Sequence, residues 1–265
     1  MLSLLLILVV ANAALHSGEN PLNPIAAAAG RTEDVHGLHF AMKVVTTSEA
    51  NPPKTARGFG ALNADTKLAR AVYTVPTPQG TVAKIDAVIE EDGTYLRSPL
   101  LAGKLPAGKE WVKVKPHERS SEDSTPSEDP ETTMQLLGAS DSVHRSGRRR
   151  VRGVQTSRYV TNLDMQALAA KLRTEGEAEL AETCEKIAPA AIGPVHAEAF
   201  VDGEGLLRRI RSRITTTADG TPQTVEMTMD LFDFESHPDV QLPPPSEVVD
   251  MMPFEEQQEA LGQSS

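Results

Sequence analysis

The 265-residue sequence has a single cysteine, Cys184, so no disulfide within the chain can hold it together and stability has to come from buried apolar surface. Aromatic residues make up only 4%, too few for the stacking platforms that bind single-stranded nucleic acid or sugars. Positive charge is in deficit. The 26 Lys and Arg against 37 Asp and Glu leave a net charge of −11, which repels a polyphosphate backbone and argues against nucleic acid as a partner. No apolar run reaches the roughly 20 residues that a membrane-spanning helix requires.

Motifs that carry chemistry are also missing. There is no G-x-S-x-G elbow, no Walker loop, and no G-x-G-x-x-G between a strand and a helix. None of the seven histidines (His16, His36, His39, His117, His144, His196 and His237) forms an H-x-x-x-H or H-E-x-x-H pair, and His36 and His39, three apart in a strand, point to opposite faces. No metal and no cofactor is expected. Carboxylates are plentiful but fall in loops, where no burial separates their pKa values into acid and base roles. Cys184 lies within a helical pattern and reads as a core residue rather than a nucleophile. The chain reads as a non-enzyme.

Present at the N-terminus is an apolar run, LSLLLILVVA (2–11), followed by Ala11-Asn12-Ala13, the small-x-small pattern of a signal-peptidase site. Residues 1–13 are expected to be a signal peptide that exports the protein to the cell envelope or the medium, and 14–32 a linker. From about residue 33 the pattern is strand-like, with apolar residues at every second position and short turns. In VHGLHFAMKVVTTSE, Leu38, Phe40, Met42 and Val44 share one face. Further strands are expected at 56–63, 67–75, 81–90, 93–99 and 110–115, separated by turns short enough for hairpins.

Residues 116–131 (PHERSSEDSTPSEDPE) contain six acidic residues, three prolines and no aliphatic side chain, which predicts a surface loop. A short helix is expected at 132–139, strands in 142–164, and then a switch to helical period, with Asp164 as N-cap and Gly176 as the break between two helices. Strands at 194–202, 205–217 and 223–235 close the domain, before a proline-stiffened exit and a disordered tail over 253–265. Grouping of the helices between runs of strands argues for an α+β fold: one curved antiparallel half-barrel of about 9–11 strands with two or three helices on its concave face.

Two clusters oppose the overall acidity, one around Arg148, Arg150 and Arg152 and one around Arg209 and Arg211. Charged sheet edges guard against aggregation, and the same arginines suit contact with anionic lipid head groups or a membrane surface. Alternation and helical spacing place Phe40, Met42, Val72, Ile85, Met134, Leu137, Leu168, Leu172, Ile210, Met227 and Met229 on apolar faces. These residues are expected to line a hydrophobic cavity, in which flexible methionines tolerate varied acyl chains.

Three stretches in fixed order carry a family resemblance. The run RRVRGVQTSRYVTNLDMQALAAKL, with Gly153, Tyr159 and Asp164, then AEAFVDGEGLLRRIRSRI, then VEMTMDLFDFESHPDVQLPPPSEVVDM resemble the actinobacterial LppX/LprAFG group of envelope lipoproteins, within the wider LolA/LolB-like fold. The likeness spans about residues 33–252. It implies a U-shaped half-barrel enclosing a hydrophobic cavity, and a protein that carries a lipid or lipidated glycan within the envelope without catalysis or cofactor. The group's lipobox cysteine has no match here. A sensing or docking module of the same fold, binding a protein partner, is the alternative; it would fill the cavity with its own side chains and place its binding energy in an exposed patch.

Overall fold

The computed structural model describes residues 24–77, 80–101, 103–114, 136, 140, 143–218 and 220–250. The expected signal peptide, the acidic loop, the tail and, apart from Leu136, the helix at 132–139 lie outside the described residues. The first described element is a helix, α1 (Pro24–Glu33), where a linker is expected over 14–32. Four consecutive alanines favour a helix intrinsically, and Ile25 and Ala28 bury completely or nearly so against the sheet. The Thr32 hydroxyl donates to Ala28 O and accepts from the backbone N–H of Leu207, tying the helix to the sheet.

Strands β1 (Gly37–Ser48), β2 (Lys54–Asn63), β3 (Leu68–Pro76), β4 (Val82–Glu90), β5 (Gly93–Arg97) and β6 (Trp111–Val114) form an antiparallel meander. A second meander runs through β7 (His144–Val151), β8 (Val154–Leu163), β9 (Val195–Val201), β10 (Leu207–Ala218) and β11 (Thr221–Phe232). Helices α2 (Met165–Glu175) and α3 (Ala178–Ile187) interrupt it between β8 and β9. The two meanders join where β1 pairs with β11, with Met42 opposite Met229 and Val44 opposite Met227. A further short strand, β12 (Val248–Asp250), pairs in parallel with β6. The sheet is open and curled, with twelve strands in the order β12-β6-β5-β4-β3-β2-β1-β11-β10-β9-β8-β7. The strand count exceeds the expected 9–11 because the proline-rich exit returns as β12.

Local chemistry accounts for the joints. Arg152 and Gly153 both have positive φ, 46° and 87°, as a two-residue I′ hairpin between β7 and β8 demands. Asp164 caps α2, its carboxylate accepting from the N–H groups of Gln166 and Ala167, and Gly176 ends the helix at φ 87°. Both open edges are blunted: β12 has three residues, and β7 carries a bulge and exposed arginines. Helices α1, α2 and α3 cover one face of the sheet and share a single hydrophobic cluster with it.

Candidate ligand-binding site

The inner face of the sheet is apolar across both meanders. Phe40 and Met42 of β1, Ile85 of β4, Ile210 of β10, Met227 and Met229 of β11, and Leu168 and Leu172 of α2 all belong to the one cluster, none more than 7% exposed. Eight of the eleven residues assigned to the cavity therefore meet on one face. Val72 does not join them. In β3 it is Ala71, Tyr73 and Val75 that turn inward, while Val72 faces out with Arg70 and Thr74 and pairs with outward-facing Phe59. Met134 and Leu137 lie outside the described residues, although Leu136 between them is buried in the same cluster.

Sequence reasoning missed Tyr73 and which rings the two glycines make room for. Gly58 pairs with Tyr73 and Gly60 with Phe40. A Cβ at Gly58 would lie 2.7 Å from the Tyr73 ring, and one at Gly60 would strike the Phe40 ring and the Arg70 carbonyl. Each ring thus lies over a facing glycine, an arrangement that recovers the packing a glycine leaves open. Tyr73 is fully buried, and its hydroxyl has no hydrogen-bond partner among the described residues. Burial pushes its phenol well above the ordinary range. The signal in the sequence was G-F-G opposite a strand with one inward tyrosine.

Helices α2 and α3 form a hairpin whose closest backbone neighbours are each other. Against the sheet they pack the side chains of Met165, Leu168, Ala169 and Leu172 from α2 and Ala181, Cys184 and Ile187 from α3, and just beyond α3 the Ile192 N–H donates to Thr215 O of β10 at 2.7 Å. Cys184 is fully buried, and burial pushes its thiol up to about 11. That suits a core side chain and not a nucleophile.

The outer face carries ion pairs. Asp86 accepts from both Arg70 and Arg97 at 2.8 Å. Burial raises its carboxyl, but the two arginine hydrogen bonds outweigh burial and hold it below the usual range. Glu198 behaves alike: burial is opposed by Arg158, His196 and Arg211, and the net direction is down. This separates the arginines expected to touch head groups. Arg209 grips Asp230 with two hydrogen bonds, Arg211 pairs with Glu198 at 3.5 Å, and Arg152 lies 3.9 Å from Asp230 with its guanidinium 3.7 Å over the Phe232 ring. Those three are engaged within the protein. Arg148 and Arg150, on edge strand β7, are exposed and have no acidic partner among the described residues.

Neither a family model nor a curated protein sequence matches the chain. Among solved structures, the lipoprotein LppX of Mycobacterium tuberculosis superposes with a TM-score of 0.51 at 15% identity, over 84% of this chain and 100% of that one. The chain has the LppX fold. LprF from Mycobacterium bovis gives 0.45 at 14% identity, over 84% and 95%. A LolA superfamily protein from Nitrosomonas europaea gives 0.29 at 7%, over 80% and 94%. The likeness expected from the three motifs thus holds at the level of the fold, and the LppX-like half-barrel places the helices on the face where the apolar residues gather.

Proposed function

We propose that the protein is an exported, non-enzymatic carrier of a lipid or lipidated glycan in the cell envelope. Its acyl part enters between the inner face of the sheet and the α2–α3 hairpin. The observation that carries this reading is Tyr73: a hydroxyl without a partner among the described residues on an apolar face, where a buried polar group ordinarily has one. A bound amphiphile supplies the acceptor, for example an ester carbonyl, while its chains spread over Phe40, Met42, Met227 and Met229. Arg148 and Arg150 remain to meet anionic head groups, each contributing about 1 kcal/mol near such a surface.

The test is native mass spectrometry and solvent extraction of the mature protein from its own envelope fraction, repeated with Tyr73→Phe. The carrier reading expects near-stoichiometric amphiphile on the wild type and weaker retention by the variant. An empty wild-type protein overturns it.

A second reading, a module that docks a protein partner, is supported by an inner face filled with the protein's own side chains, none of the eight more than 7% exposed, and by a patch on the outer face. Phe59 on the outer face is 55% exposed, with His39 and Phe232 beside it and Arg152 stacked on Phe232. An exposed aromatic flanked by arginine has the composition of an interface hot spot. An empty protein whose partner binding is lost on Phe59→Ser would favour this reading.

A further inference from the structure

At one end of the seam between the two meanders, three chain segments converge. His36 immediately precedes β1, Asp65 lies in the turn between β2 and β3, and His237 follows β11. Their backbones are tied together. Ala64 N–H donates to His36 O at 2.9 Å, the Asn63 side-chain amide donates to Pro238 O at 2.9 Å, and Asn63 Oδ1 accepts from Thr66 N–H. Gly37 forms a bridge to Glu235 and has no room for a Cβ, which would lie 2.6 Å from the Ser236 carbonyl. The three side chains are thus presented by segments that cannot drift apart without breaking main-chain contacts.

The donor atoms are close. His36 Nδ1 lies 3.1 Å from Asp65 Oδ1, the His36 and His237 rings stack with centroids 5.3 Å apart, and one donor atom from each residue lies within 4.8 Å of the others. Ligands around a tetrahedral zinc, with bonds of about 2.0–2.2 Å, stand roughly 3.3 Å apart. His36 and Asp65 already meet that spacing. His237 is exposed and has no hydrogen bond among the described residues, so a small side-chain rotation brings it in. The nearby His39 is engaged elsewhere, with Asp233 and Ser236.

We propose that His36, Asp65 and His237 form a binding site for a divalent late-transition ion of the zinc class. Two imidazoles and one carboxylate are the donors that such ions take, whereas calcium and magnesium call for more oxygen ligands. Three protein ligands on an exposed surface leave a fourth position to water. The ion clamps the entry of β1 to the exit of β11, the two strands that join the halves of the sheet. This site is independent of the lipid reading, because its ligands lie outside the inner-face cluster.

The experiment is calorimetric titration of the chelator-treated full chain with zinc chloride, alongside melting curves with and without the metal. One equivalent is expected to bind, with a rise in melting temperature. His237→Ala and Asp65→Ala, both at exposed positions and checked for native circular dichroism, should each weaken binding by at least about tenfold and abolish the rise. Absence of saturable binding by the wild type overturns the proposal. So does binding by the two variants as tight as that of the wild type, which would place the metal elsewhere on the chain.

Discussion

Gly60 faces Phe40 across the β1–β2 ladder, and its missing side chain is what lets the ring lie flat against the sheet. Gly60→Ala puts a methyl against both that ring and the Arg70 carbonyl. Only the ring can turn aside, so the substitution is expected to cost about 1–3 kcal/mol, read as a lower urea midpoint at unchanged slope. An unchanged midpoint would mean that the ring is not held there. The inward sides of β1, β4 and β11 were legible in the sequence. Val72 was not assigned to its correct side, because in LARAVYTVP both parities contain apolar residues. Its neighbours two places away, Arg70 and Thr74, mark the outward side, and Tyr73 was passed over because a buried tyrosine hydroxyl usually needs a partner that alternation does not supply.

At the scale of elements, helix α1 was the least visible. PIAAAAGRTE has little apolar bulk, and its single large residue, Ile25, gives no period to read. Tertiary packing decides the matter: Ile25 is fully buried in the central cluster, and Thr32 satisfies the Leu207 N–H of β10. Ile25→Ala is therefore expected to destabilise the whole domain by about 2–4 kcal/mol, measured by urea unfolding. In a surface linker the same change would cost next to nothing, within about 0.5 kcal/mol, so the measurement separates the two descriptions. The α2 cap and the α2–α3 break were legible because their determinants are local: Asp164 and Gly176 act within four residues of themselves. β12 was not, since its three residues become a strand only by reaching Trp111 and its neighbours across the chain.

For the molecule as a whole, the joining of β1 to β11 could be expected only through the family resemblance, because no turn connects them and alternation says nothing about partners distant in sequence. The same holds for the convergence of His36, Asp65 and His237, which have no spacing that a motif search would recognise. Folding also sorts charge by face. The helix-covered face is apolar, and the acids of the outer face are gathered under arginines and a lysine: Asp86 by Arg70 and Arg97, Glu198 by Arg158 and Arg211, Glu90 by Lys113. In all three carboxyls burial acts upward, yet the cationic partners prevail and the folded state favours the ionised form. A carboxyl whose folded pKa lies below its unfolded value stabilises the fold fully above the unfolded value, near pH 4, and loses that contribution as the pH falls through the folded one. Stability is thus expected to stay level from about pH 7 to 5 with respect to these groups and to decline below about pH 4. Asp86→Asn leaves Arg70 and Arg97 without their carboxylate and should cost about 1–3 kcal/mol at neutral pH. Because the variant has lost one of the groups that titrates, its decline in acid should be shallower than that of the wild type. Urea unfolding of both proteins across that range is the check, and parallel acid limbs would show that the outer-face pairs do not govern the response to acid.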